Sequence, residues 1–238
     1  MFIDTHAHLY YPNFNGEIEQ VIERANMAGV KYILIPGTDL VTSKKAIDLA
    51  EKFEGVYAAV GVHPHDTTEW KNSDLDILEE FAKNPKVVAI GEIGLDYYYD
   101  FSPKEIQLAA FKAQIELALK LDLPIIVHNR ESNDDIMNVI REYSNTNLRA
   151  QFHCFAGSIK DAKELTDMGH YISFTGNITF KKTESIREIL KGVGIDKMLL
   201  ETDSPFMTPV PYRGQRNEPS YVLHNAEKIA EIHNLDTK

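Results

Sequence analysis

One cysteine, Cys154, stands in 238 residues, so no internal disulfide can form, and the composition suits a reducing compartment. Long apolar runs are absent: nothing approaches the roughly 20 residues that span a bilayer, so no membrane association is expected. No basic n-region followed by an apolar stretch opens the chain. Met1-Phe2-Ile3-Asp4-Thr5-His6 leads straight into candidate functional residues, so no secretory leader and a cytoplasmic location are expected. Positive charge is also scarce. The formal net charge is −11 and the sequence pI about 5.3. This excludes a general nucleic-acid coat protein but not an enzyme that grips phosphate locally through metals and a few arginines. No glycine-rich phosphate turn follows the first apolar run, which counts against a dinucleotide-binding open sheet. No low-complexity stretch, linker or composition break divides the chain.

What is present is a repeating βα pattern. Short β-rich apolar runs fall at Phe2–Thr5, Lys31–Ile35, Tyr57–Val62, Val87–Gly91, Ile125–His128, Leu148–His153, Tyr171–Phe174 and Met198–Glu201. They recur roughly every 28 residues, the spacing of a βα unit. Helical periodicity fills the gaps at Glu17–Met27, Thr42–Phe53, Asp74–Phe81, Pro103–Leu121, Asn133–Tyr143, Ser158–Met168, Thr183–Leu190 and Glu218–His233. In Pro103–Leu121 the apolar stripe is Ile106, Ala110, Ile115 and Leu119. Ser73 and Ser102-Pro103 suit helix entries, and Gly29 and Gly169 suit C-caps. Eight strands each followed by a helix predict an α/β fold, a TIM (β/α)8 barrel forming a single domain over residues 1–238. Chemistry in such barrels sits at the C-terminal strand ends.

The candidate ligands fall there. His6 and His8 are two apart after strand 1, so strand alternation points them the same way, and two imidazoles suit a borderline divalent metal. A His-x-His alone is weak. The argument gains strength because Glu92, His128, His153 and Asp203 follow strands 4, 5, 6 and 8. A carboxylate directly after Ala89-Ile90-Gly91 is costly unless something cationic meets it, and the same holds for Glu201 and Asp203 after Met198-Leu199-Leu200. Cys154, next to His153, is expected by parity to face the helices as a small apolar filler rather than act as a nucleophile. His170, His224 and His233 read as bland, and the sequon Asn177-Ile178-Thr179 matters only in a secreted chain.

The motifs Phe2-Ile3-Asp4-Thr5-His6-Ala7-His8-Leu9, Gly61-Val62-His63-Pro64-His65, Gly91-Glu92-Ile93-Gly94-Leu95-Asp96, Ile126-Val127-His128-Asn129-Arg130, His153-Cys154-Phe155, Glu201-Thr202-Asp203-Ser204-Pro205 and Gly214-Gln215-Arg216-Asn217-Glu218-Pro219 together resemble the TatD family of metal-dependent hydrolases. The resemblance spans nearly the whole chain in order. It implies a TIM barrel, two divalent metals and deoxyribonuclease activity, often 3′→5′ exonucleolytic, on DNA with single-stranded or frayed ends. Family members usually continue past Lys238 through another short helical segment, so this chain is expected to lack that end segment.

On this reading His6, His8 and Asp203 hold one metal, His128 and His153 the other, and Glu92 bridges them. Nitrogen and oxygen ligands suit Zn, Mn, Co or Ni, with Mg open for phosphate chemistry. Asp203 is the expected proton acceptor and, with Glu92, a catalytic residue. Glu201 either supports the site from behind or pairs with a nearby lysine or arginine. The resemblance gives His63 a substrate-phosphate contact, with a hydrogen-bonded wall residue as the bland alternative; His65 is left unassigned. Arg213 and Arg216 are expected to bind phosphate, with Arg130, Lys181 and Lys182 as outer charge. Tyr97, Tyr98 and Tyr99 are either base-stacking or packing residues. The same bimetal site also suits hydrolysis of a carbonyl ester or amide, such as an aminoacyl-nucleic acid or a lactone. A metal-binding interaction protein is disfavoured, because structural sites usually close with four ligands. No partner protein is evident.

Overall fold

The computed structural model describes residues 1–236; Thr237 and Lys238, at the expected truncation, lie outside the described residues. Eight parallel strands alternate with eight α-helices. They are β1 Phe2–Asp4, α1 Ile18–Met27, β2 Val30–Pro36, α2 Leu40–Lys52, β3 Val56–Val60, α3 Ser73–Ala82, β4 Val87–Asp96, α4 Lys104–Leu121, β5 Ile125–Arg130, α5 Asn133–Glu142, β6 Ala150–Phe152, α6 Ile159–Asp167, β7 Tyr171–Phe174, α7 Glu184–Gly192, β8 Met198–Leu200 and α8 Val222–His233. All eight strands join one sheet in chain order, the arrangement of the expected TIM (β/α)8 barrel.

Residue contacts gather into two compact units. The first comprises Met1–Ile35, Cys154–Asp167 and the chain from Tyr171 onward. Its core takes Val21, Ile22 and Ala25 from α1, Ile33 and Ile35 from β2, and Ile172 and Phe174 from β7, all buried. Each of these valine, isoleucine and phenylalanine side chains contributes about 1.5–3 kcal/mol when fully removed from water. Helix α1 ends where Gly29 takes φ +86°, the left-handed C-cap expected of it.

The second unit comprises Pro36–His153 with Met168–His170. Ala58, Ala59, Ile90, Ile93, Ile125 and Val127 are buried strand residues, against which α4 packs Ala110, Phe111, Ile115 and Ala118. The buried face of α4 also carries two glutamines that apolar periodicity does not reveal. Gln114 Oε1 accepts from the Val62 amide at 2.7 Å, and its Nε2 donates to the Val62 carbonyl at 3.1 Å. Gln107 holds the Asp96 amide and carbonyl in the same way, at 2.9 and 3.1 Å. One helix thus fixes the positions where β3 and β4 hand over to functional loops.

Strand β4 does not stop at Gly91 as the sequence suggests. It pairs on with β5 through Ile93–Val127, Gly94–His128, Leu95–Asn129 and Asp96–Arg130. Gly94 makes this possible. Its φ is +141°, and a Cβ there would lie 2.1 Å from the His128 carbonyl oxygen. Ser73, expected as a cap, is instead the first residue of α3, with Asn72 at the N-cap.

In the first unit Arg24 on α1 grips Glu218, just before α8. Nε donates to Oε1 at 2.8 Å and Nη2 to Oε2 at 2.6 Å, while Ser220 adds a donor at 2.6 Å. Burial raises the Glu218 carboxyl, but these hydrogen bonds outweigh it and hold it below the usual carboxylate range. Glu218→Gln should therefore cost about 1–3 kcal/mol, discounted from a fully buried pair because Arg24 is partly exposed. A lowered folded-state value means that the contribution is complete above the unfolded carboxylate value of about 4.3 and fades as pH falls below it. Denaturant titrations should show a constant wild-type advantage from pH 8 to about 5, shrinking toward pH 3. An advantage that grows on acidification would contradict the assignment.

Candidate metal centre

In the first unit, the chain beyond β1 is stitched to the chain beyond β8. The His8 amide donates to the Ser204 carbonyl at 2.8 Å, and the Asp203 amide to the His6 carbonyl at 2.9 Å. Asp4, fully buried, accepts from the Thr202 amide at 2.9 Å and its hydroxyl at 2.6 Å. Burial pushes the Asp4 carboxyl up to about 8, although the Thr202 hydrogen bonds oppose it. Asp4 acts as a buried staple between the two strand ends.

The staple brings His6, His8 and Asp203 together. His6 Nε2 and His8 Nε2 lie 3.1 Å apart, and Asp203 Oδ1 stands 3.9 and 3.6 Å from them. Two nitrogens at about 2.0–2.1 Å from one divalent ion sit roughly 2.9–3.4 Å apart along a coordination edge. The imidazole spacing fits such an ion. Tyr10 Oη meets His8 Nδ1 at 2.9 Å, and the Tyr11 ring stacks on His8 with centroids 5.1 Å apart. Tyr10 orients the ring through Nδ1, leaving Nε2 to face the cluster, and Tyr11 supports its face.

In the second unit the expected ligands Glu92, His128 and His153 converge. Glu92 Oε1 lies 2.9 Å from His128 Nδ1 and 3.3 Å from His153 Nε2. His63 joins them: its Nε2 is 3.6 Å from the same oxygen, and His63, Glu92 and His128 form a set able to hold an ion. Three imidazoles on one buried carboxylate oxygen are a donor set suited to a cation. Burial and the neighbouring His128 hold His63 well below its ordinary value, so it presents a neutral, ligand-competent ring.

Asp96 joins this cluster, and the sequence reading did not single it out. Its Oδ2 lies 2.7 Å from His65 Nε2 and 3.0 Å from His128 Nε2. Its Oδ1 accepts the amides of Tyr98 and Tyr99 at 3.0 and 3.1 Å. Burial alone would raise the Asp96 carboxyl, but these partners, His128 first, hold it below the usual range. Burial likewise would lower His128, yet its hydrogen bonds to Asp96 and Glu92 lift it above its ordinary value. A strand-parity reading carried past Gly91 would have found Asp96, since Glu92, Gly94 and Asp96 alternate along β4.

Other expected residues fall elsewhere. Arg216 is engaged within the first unit, donating to the Asn13 carbonyl at 2.5 Å and to Glu17 at 3.0 Å and lying over the Phe14 ring. Arg213 stacks on Phe180 at 3.6 Å and lines a cavity of about 310 Å³ with Met207, Thr208 and Gln215. Lys181 and Lys182 are exposed. Glu201 accepts from the Cys154 amide at 2.6 Å and the Ser173 hydroxyl at 2.8 Å, which supports the chain from behind. Cys154 is not a filler against the helices. It lies beyond β6 with φ +44°, where strand parity no longer applies, and its sulfur faces Thr175 and Asn177 at 3.6 and 3.8 Å.

A family model described as TatD related DNase matches residues 3–238. YabD of Bacillus subtilis (strain 168), an uncharacterized metal-dependent hydrolase, is 44% identical over 232 residues, covering 98% of this chain and 91% of that protein. The 3′-5′ ssDNA/RNA exonuclease TatD of Klebsiella pneumoniae (strain 342) is 33% identical over 240 residues, covering 99% and 91%. The crystal structure of YJJV, a TatD homolog from Escherichia coli K12, superimposes with a TM-score of 0.91 at 32% identity, covering 97% of this chain and 90% of that one.

Removing the Asp96 charge tests how the second cluster is held. Asp96→Asn should leave the chain folded but weaken divalent-metal affinity about 10- to 100-fold, as loss of a carboxylate behind a ligating histidine does elsewhere. Calorimetric titration of metal into both proteins reads this directly. Equal affinities would remove Asp96 from the site.

Proposed function

The chain belongs to the TatD-related DNase family of metal-dependent hydrolases, and from that premise we propose that it cleaves phosphodiester bonds of DNA as a 3′→5′ exodeoxyribonuclease acting on single-stranded or frayed ends. The observation that carries this reading is the presence of donor clusters, His6–His8–Asp203 and His63–Glu92–His128 among them, each combining imidazole nitrogens with a carboxylate oxygen. His6, His8 and Asp203 would hold one divalent ion. Glu92, His128 and His153 would hold a second, with His63 beside them as a further ligand or a contact to the substrate phosphate. Such ions supply Lewis acidity and a water that ionises near neutral pH.

The chain's own residues do the rest. Asp203, partly open to solvent at 13% exposure of its side chain, accepts the proton of the attacking water. Arg213 offers a guanidinium for the phosphate next to the scissile bond. Arg216, engaged by Asn13 and Glu17, positions the loop that carries Arg213. Among the described residues no helix is long and apolar enough to cross a membrane. The single cysteine supports a site of action in the reducing cytoplasm.

A defined assay separates the readings. Single-stranded DNA, RNA, a carboxylic ester and a lactone are each incubated with protein plus Mg or Mn, with a chelator control. DNA hydrolysis should exceed ester hydrolysis and vanish with chelator. Asp203→Asn should lower its turnover about 10²- to 10⁴-fold, the usual worth of a positioned general base, while the unfolding midpoint changes little. Ester or lactone cleavage with intact DNA would replace the phosphodiesterase reading with carbonyl hydrolysis.

A further inference from the structure

Beside the second cluster stands an exposed aromatic shelf that neither the donor sets nor the core uses. Tyr98, Tyr99 and Phe101 are 52%, 39% and 59% exposed. Tyr99 and Phe101 stack with ring centroids 5.2 Å apart and planes 13° apart, and Tyr98 meets Tyr99 edge-on at 4.8 Å. The guanidinium of Arg130, on β5, lies over both tyrosines, 4.0 Å from the Tyr98 ring and 4.9 Å from Tyr99. His65 closes the inner edge against Tyr99 and Phe101 at 5.3 and 4.9 Å.

The shelf is tied to the donor cluster by one residue. Asp96 gives one oxygen to His65 and His128 and the other to the amides of Tyr98 and Tyr99. The shelf backbone is thereby held in fixed relation to His128. Three large rings left in water, on a rigid support next to candidate metal ligands, suit a flat apolar ligand presented at that spot.

We infer that Tyr98, Tyr99 and Phe101 with Arg130 form a stacking subsite for a nucleobase of single-stranded nucleic acid. The inference rests on the phosphodiesterase reading and adds where the strand is held. Charge argues for the same occupant. Asp100, Glu131 and Asp134 are exposed on the flanking segments, and the whole chain carries −11, so long-range attraction does not hold a polyanion here. Stacking needs no such field and accepts every base. Arg130 supplies a local cation whose face rests on the rings and whose N–H edge can meet the adjoining phosphate.

The test is binding by this whole chain freed of metal, so that cleavage does not interfere. Fluorescence anisotropy compares a labelled single-stranded oligodeoxynucleotide with an abasic strand of the same length and charge. The normal strand should bind about 5- to 100-fold more tightly. The double variant Tyr98→Leu/Tyr99→Leu keeps apolar bulk without aromatic faces and should bind both strands alike. Its metal stoichiometry and unfolding midpoint should stay at wild-type values, which separates loss of stacking from loss of fold. Equal binding of the two strands by wild type overturns the inference, as does a base preference that survives in the variant. A dimer that dissociates in the variant also overturns it, because the shelf would then be a subunit interface. Equal cleavage of strands with and without a base beside the scissile bond would sink the shelf alone. No phosphodiester cleavage with any metal would sink the underlying reading as well.

Discussion

Asp96 sets the constraint on which the second unit depends. A carboxylate with no exposed surface must have its oxygens served, or the chain cannot afford to bury it. Here two imidazoles serve one oxygen and two backbone amides the other. The partners win over burial, so the group stays ionised at neutral pH. Its charge orients the His128 ring from the Nε2 side. The same bonds settle the path of the chain after β4, and Gln107 fixes that path again from α4.

The first unit handles a buried carboxylate in the opposite way. Asp4 is met by hydroxyl and amide donors of Thr202 rather than by imidazoles. Burial then prevails and pushes the carboxyl up to about 8. Such a group contributes direction rather than charge: it locks the chain beyond β1 to that beyond β8, and His6, His8 and Asp203 follow from the lock. Asp96 keeps its charge because imidazoles and amides meet it, whereas at Asp4 the hydroxyl and amide donors do not outweigh burial.

These two cases explain what was legible in the sequence. The strands were visible because strands covered on both faces read as apolar runs, and α1 to α8 because their buried faces keep helical spacing. The six candidate ligands stood out because His, Glu and Asp are costly at those positions without a purpose. Asp96 was hidden by Gly94, which reads as a strand break. In the fold, the absence of a Cβ there is what lets the His128 carbonyl approach and the strand continue. Gln107 and Gln114 were hidden because a buried amide looks like a solvent-facing residue to any apolar count. The engagement of Arg216 was hidden because its partner Glu17 lies 199 positions away in the chain.

The arginines of this acidic chain are held in two ways. Arg24 and Arg216 give N–H groups to Glu218, Glu17 and a backbone carbonyl, and Arg216 also lies over the Phe14 ring. Arg130 and Arg213 rest their faces on rings, Tyr98 at 4.0 Å and Phe180 at 3.6 Å. A guanidinium held by its face against a π-system is fixed in place without using its donor edge. A guanidinium held by carboxylates is fixed by using that edge. Aromatic support thus holds Arg130 and Arg213 in place in a chain whose net charge is −11.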